Sequence, residues 1–183
     1  MADACYSSSA VETAVALANT LRPVKGEDSL QTVEQLRDFL DAHGPAAEAG
    51  LTRADLTEAR ALRETVRDVL ERASTDAAGA ASLLNDGLRR SRATPELRHE
   101  NGRWWTEVTS DTDRVTAHLA ATTLSALAAV IATLGPDRLG VCAGLNCRAT
   151  FVDLSRNGSK QYCTRTCAHR ASVAAYRSRR SPG

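Results

Sequence analysis

Four cysteines near the C-terminal end carry the clearest chemistry in this chain of 183 residues. They stand as Cys142-Ala-Gly-Leu-Asn-Cys147 and Cys163-Thr-Arg-Thr-Cys167, two close pairs with fifteen residues between them. Zinc takes four soft ligands at the corners of a tetrahedron, and a close pair of thiolates on a tight turn reaches one ion without strain. A medium loop lets the second pair fold back onto the first. Two disulfides, or cysteines buried as small apolar side chains, are the competing readings, and the spacing favours zinc. Four thiolates leave no open position for water, so the zinc is expected to be structural, one ion per chain. Cys5 lies far away and reads as an unrelated free thiol.

Basic residues follow the cysteines. Residues 139–183 hold eight Lys/Arg against Asp153 alone, while the other 138 residues hold fifteen against twenty-one acidic ones. Such asymmetry predicts a polyanion-binding end on an acidic body. Lys160, Arg165, Arg170, Arg177, Arg179 and Arg180, with His169 among them, are the candidate nucleic-acid contacts, since arginine grips phosphate bidentately and in a salt-dependent way. A merely solvated basic face is the alternative. Only Tyr162 and Tyr176 could stack on bases here, so double-stranded DNA is the expected partner rather than a single strand.

In the acidic body Asn19, Arg22, Trp104, Trp105 and His118 are the residues least explained by core packing, and they are the candidates for a small-molecule pocket. Asn19 and Arg22 could hold an anionic group at a helix end. Adjacent tryptophans on a strand face opposite sides, so one is expected to pack on the helices and the other to wall a pocket or interface. No Ser/His/Asp set, phosphate-binding glycine loop or open metal site is present, which weighs against an enzyme.

The elements that must position these residues are mostly helices. Apolar periodicity predicts helices over 11–21, 29–43, 52–70, 77–92 and 111–134. Thr52 with Asp55 forms a capping-box signal, and Leu56, Ala59, Leu62, Val66, Val69 and Leu70 make the stripe behind it. Asn101-Gly102, flanked by strand-like residues 96–108, predicts a hairpin. Gly135-Pro136 ends the long helix and is expected to act as a hinge into the cysteine module. There, Gly144 and Asn146 suit a left-handed knuckle, 151–154 a strand, 156–159 a turn that returns the chain to Cys163, and an alanine-rich helix follows. No apolar run is expected to approach the roughly 20 residues that span a bilayer, and nothing at the N-terminus resembles a signal peptide. A cytoplasmic protein is expected, in which reduced thiols favour metal over disulfide.

Cys142-x4-Cys147, Phe151, Asp153, Ser155-Arg156-Asn157-Gly158-Ser159, Tyr162-Cys163 and the run Arg170-Ala-x-Val-Ala-Ala-Tyr-Arg177 resemble the CGNR zinc finger. Leu17-Ala-Asn-Thr-Leu-Arg22 and 52–63 resemble the ABATE domain that precedes this finger in proteins named as stress-induced transcription regulators. One departure is that Cys167-Ala168-His169-Arg170 stands where the family has Cys-Gly-Asn-Arg, which keeps the ligand and the arginine. The fold expected is mainly α: a helical ABATE-like domain with one β-hairpin over 1–136, for sensing or dimerisation, then a small treble-clef-like zinc module over 137–183. The function expected is a zinc-finger DNA-binding transcription regulator, as a homodimer because one small module contacts too little DNA. The alternative is a small-molecule-binding protein or enzyme whose pocket lies in the helical domain and whose zinc only clamps the fold.

Overall fold

The computed structural model describes residues 7–44 and 50–180, with the side chain of Arg180 and the whole of Cys5 outside the described part. Each early helix starts where a side chain can answer the free N–H groups of its first turn. Ser7 accepts from Ala10 N to open α1 (Ser8–Asn19). After a two-residue pair of strands, β1 (Leu21–Arg22) and β2 (Glu27–Asp28), Thr32 and Gln35 form a reciprocal capping box that opens α2 (Val33–His43). That box explains why α2 begins at Val33 rather than near Ser29. Leu30 is buried ahead of it, on a turn in which its N–H donates to Asp28 Oδ1 at 2.9 Å. Thr52 and Asp55 cap α3 (Arg53–Arg72) as the sequence predicts, and Asp76 caps α4 (Ala77–Arg90).

Strands β3 (Ala93–Glu100) and β4 (Arg103–Ser110) form the predicted hairpin, with Asn101 at φ 50° and Gly102 at φ 78° in the two-residue turn. These two left-handed residues match the twist of the flanking strands. The hairpin closes where Asp111 N donates to Arg92 O at 3.3 Å, and the Asp111 carboxylate pairs with the Arg92 guanidinium at 2.7 Å. Asp111 is therefore spent on the hairpin, and α5 begins later than expected, at Val115–Leu134.

Helix α5 is the centre of the body. It packs against α1, α3 and α4, and its buried residues, among them Thr116, Leu119, Thr123, Leu124, Leu127 and Val130, lie on more than one face. The expectation that no apolar run approaches a membrane-spanning length is corrected here: α5 has the length and composition to cross a bilayer. A helix surrounded by others needs apolar residues around most of its circumference, which accounts for that composition. Gly87 of α4 sits where it crosses α5 most closely; a Cβ there would stand 2.4 Å from Leu124 Cδ1.

After α5, Gly135 at φ 94° and a short 3-10 turn over Pro136–Arg138 lead into β5 (Leu139–Val141), which pairs antiparallel with β6 (Thr150–Val152). Helix α6 (Arg165–Arg180) ends the described chain. The turn is not the free hinge the sequence suggested. Leu139 and Val152 belong to the same buried cluster as α1, α3 and α5, and β5 and β6 both pack on α3. The cysteine module thus extends the core of the body.

Candidate metal centre

Cys142 directly follows β5, Cys147 lies on the loop to β6, Cys163 stands two residues before α6, and Cys167 lies in its first turn. All four sulfurs lie within 4.8 Å of one another. Cys147 to Cys163 is 3.6 Å, and Cys163 to Cys167 and Cys167 to Cys147 are each 3.7 Å. A tetrahedron with Zn–S bonds of about 2.3 Å sets its sulfurs about 3.8 Å apart, so the donor set fits one zinc ion. These distances also exclude disulfides, whose sulfurs are bonded at about 2 Å, and the four cysteines are free.

The backbone is shaped for sulfur as an acceptor. Gly144 N and Cys163 N both donate to Cys142 Sγ, at 3.4 and 3.3 Å. Such bonds stabilise a thiolate and orient it, as outer-shell contacts do in metal sites. The knuckle turns through Asn146 at φ 59° and Arg148 at φ 50°. Gly144, expected to be left-handed, is needed for room instead: a Cβ on it would stand 3.3 Å from Cys142 Sγ and 3.4 Å from Cys167 Cβ.

Without metal, Cys147, Cys163 and Cys167 do not ionise alike. Burial, reinforced by the three neighbouring thiols, pushes Cys163 up to about 12, and burial also raises Cys147. The Thr164 hydroxyl draws Cys167 down to about 7. A divalent cation removes this conflict by displacing the protons, which couples metal binding to pH.

The loop between β6 and Cys163 is held from below. Asp153 is 2% exposed; its carboxylate accepts from Ser155 N at 2.9 Å and Lys160 N at 2.8 Å. Burial works against the Asp153 charge, but the Ser155 hydroxyl, these N–H groups and nearby Arg138 outweigh it and keep the carboxyl below its ordinary value. Arg138 donates to the carbonyls of Asp153 and Ser155, at 3.3 and 2.5 Å. Gly158, at φ 59°, leaves the space its guanidinium fills. The expected turn at 156–159 is thus a loop bound to Asp153 and Arg138. The strand before it pairs with β5 rather than with 161–162, which reaches the knuckle through Ala143 N donating to Gln161 O at 2.9 Å.

Of the residues expected at a nucleic-acid interface, Arg165, His169, Arg170, Arg177 and Arg179 lie exposed along α6. Among the described residues none of these arginines has an acidic partner. Lys160 is pinned: Nζ donates to Val152 O at 3.3 Å and stands 5.2 Å from the centre of the Phe151 ring. Arg156, which the sequence reading did not select, is exposed on the same loop.

The five pocket candidates do not converge. Asn19 is a clamp: Nδ2 donates to Thr150 O and Oδ1 accepts from Thr150 N, both at 2.9 Å, joining the end of α1 to β6. Asn19 and Arg22 line one shallow depression beside α2, whereas Trp105 lines a different cleft with α5. Trp104 is 65% exposed and stacks on His99, ring centres 4.4 Å apart. Trp104 therefore faces outward, while Trp105, 43% exposed, lies over the cleft beside α1 and α5. His118 Nδ1 lies 2.6 Å from Thr109 Oγ1 and accepts from Ser110 N at 3.4 Å, so it ties α5 to the base of the hairpin.

Two known families match successive parts of the chain. A family model described as "ABATE: Putative stress-induced transcription regulator" matches residues 12–134, and a model of the CGNR zinc finger matches residues 138–180. No curated protein matches the chain.

Proposed function

The chain belongs to the ABATE family and carries a CGNR zinc finger, and from that premise we propose that it regulates transcription by gripping double-stranded DNA with the exposed arginines of α6. The observation that carries this reading is the display of Arg165, Arg170, Arg177 and Arg179 on one helix whose first turn holds a zinc ligand. Cys163 and Cys167, which would hold the zinc, fix where that helix begins, and the helix fixes the spacing of the guanidinium groups. Arg170 and Arg177, seven residues apart, share a face. Phosphates lie along a duplex at regular intervals, and guanidinium groups held on a rigid element bond them without a further ordering cost. His169 on the same helix is available to a base edge or a phosphate. The cell compartment that suits this work is the cytoplasm, where thiols stay reduced.

The helical body supplies the sensing half of the reading. A cleft of about 460 Å³ lies between α1, the end of α2, β4 and α5, bordered by Ser9, Thr13, His43, Trp105, Thr122 and Ser125. Its size falls in the range of small-molecule sites, about 300–1,000 Å³. Hydroxyl groups on one side and an indole on the other suit a small, partly polar effector. The same cleft supports the second reading, a small-molecule-binding protein whose zinc only holds the fold together.

The test is selection of random duplexes by the zinc-loaded chain at two salt concentrations. An enriched motif whose retention drops with salt and vanishes on chelation is the expected result. If no duplex is retained even at low salt, the DNA reading fails and the cleft becomes the place to look for function.

A further inference from the structure

The β3–β4 hairpin is poorly covered by the rest of its own chain. Its strands have eight residues each, yet only the base, Thr109 and Ser110, is buried. Leu97 is 68% exposed, on the same face as Trp104, because Leu97 pairs with Thr106 and His99 with Trp104. A lone two-stranded hairpin is marginal in water, and a long free edge carrying exposed apolar side chains is a template for another strand. The β4 side leans over α5, where Trp105 to Val108 border the cleft with Thr122 and Ser125. From Thr94 to Glu100 the β3 edge has exposed or half-buried residues.

The backbone pattern fixes which groups that edge offers. Asp111 N donates to Arg92 O, and bonded pairs recur every second residue in an antiparallel ladder. The register then places the pairs 94/109, 96/107, 98/105 and 100/103 in bonded positions. Residues 95, 97 and 99 therefore turn their N–H and C=O away from β4. Pro95, which has no N–H, is tolerated for that reason, as prolines are on edges.

We propose that this edge is the homodimer interface: β3 pairs antiparallel with β3 of a second copy, Leu97 opposite Leu97, to make a continuous four-stranded sheet. The sequence Glu96-Leu97-Arg98 is self-complementary in this register: each Arg98, which meets Glu96 at 2.7 Å and Glu107 at 3.1 Å within its own chain, falls opposite the Glu96 of the other copy. These are non-bonded pairs, in which side chains approach most closely. Sliding the copies by two residues either way puts Glu96 opposite Glu96 or Arg98 opposite Arg98, and a slide of one residue turns donors away from acceptors. The charges that keep other strands off the edge thus select a copy of this one. The two Leu97 residues exchange both backbone bonds, and each His99 N–H meets a Pro95 carbonyl, so the missing proline N–H falls at the rim. On the outer face His99 and Trp104 of one copy extend to Pro95 and Val108 of the other, which gives the exposed indole apolar neighbours.

One strand edge covers less than the roughly 800 Å² per partner of a stable interface, so the dimer forms reversibly with concentration. It gives the homodimer expected from the sequence an interface and rests on the DNA reading only for what the dimer would do on a duplex. The test needs no DNA. Sedimentation of the zinc-loaded full chain over a concentration series should show a monomer–dimer equilibrium. Arg98→Glu and Glu96→Arg, each alone, should weaken it at least tenfold, and an equimolar mixture of the two variants should restore it as a heterodimer. Leu97→Pro should also abolish the dimer while leaving the circular dichroism of the monomer unchanged, since that N–H is not used within the chain. A wild-type chain that stays monomeric at hundreds of micromolar overturns the proposal. So does a dimer indifferent to these substitutions, or one in which the mixed variants do not recover.

Discussion

In the helical body Arg63 donates to Asp28 at 2.7 Å, and Arg67 donates to Glu71 at 2.6 Å and to the carbonyls of Ala18 in α1 and Leu21 in β1. On α6, by contrast, Arg165, Arg170, Arg177 and Arg179 stand in solvent without an acidic partner among the described residues. The side chain is the same, and its surroundings give it opposite uses. A guanidinium taken out of water must recover its lost hydration from every neighbour, so Arg63 and Arg67 are surrounded by acceptors and hold elements in place. An exposed guanidinium keeps its hydration and its charge, and can give both up to a phosphate when one arrives. Arg148 lies between the two cases. It sits in the cysteine knuckle and reaches Glu71 of α3 at 3.6 Å, so the body and the metal centre share one ionic network.

The comparison is tested most severely by removing the metal. Zinc binding to a four-cysteine site is worth on the order of 10 kcal/mol in apparent terms. Chelation should therefore unwind α6 and abolish DNA binding while leaving most of the helical signal of α1 to α5, as read by circular dichroism. Loss of all helical signal together would mean that the two regions are not separable. Next in size, Arg63→Ala leaves Asp28 with only Leu30 N and the more distant Arg60 and should cost about 3 kcal/mol of stability, measured by urea unfolding, with α6 and its zinc affinity little changed.

Asn19→Ala should cost about 2 kcal/mol, because the N–H and C=O of fully buried Thr150 lose their partners. Its signature is faster proteolysis at 135–141 as the module loosens from α1. Arg170→Ala with Arg177→Ala should leave the melting temperature unmoved and lower DNA affinity for all sequences, with the salt slope falling by about two. A melting temperature that drops instead would place these arginines with those of the body.

Acid should separate the regions without any substitution. Protons compete for the thiolates, so zinc is lost first as pH falls. In the body, burial works against the Asp28 charge, but hydrogen bonds from Arg63 and Leu30 N, with Arg63 and Arg60 alongside, hold the carboxyl below its ordinary value. A carboxyl depressed in the folded state lends stability that is complete above its unfolded value, about 3.9, and is lost as pH falls through the folded one. Body stability should accordingly decline only below about pH 4, and the decline should be shallower in Arg63→Ala.

Local signals were the legible part of the sequence. Thr52 with Asp55 starts α3, Asn101-Gly102 turns the hairpin, and Cys142, Cys147, Cys163 and Cys167 come together, because each depends on groups a few residues apart or on a ligand chemistry that only certain spacings satisfy. The family resemblance carried by the finger residues held for the same reason. What could not be read was long-range pairing. Arg63 and Arg67 look like solvent-facing charges on α3, and only the approach of α1 and β2 buries them. Asn19 looked like a ligand contact, and it meets a backbone 131 residues away. The strand expected at 151–154 has its nearest return at 161–162, yet the strand formed, 150–152, pairs with 139–141, because Cys142 and Cys147 close the knuckle between them.

By itself, then, the sequence determined the helices, the hairpin turn and the four metal ligands, since backbone propensity and ligand spacing are written in neighbouring residues. Only the tertiary structure decided that Gly135-Pro136 joins two parts of one core, which arginines are buried and which are free, and which hairpin edge is left open. Those outcomes depend on which surfaces exclude water from one another, and that is a property of the assembled elements.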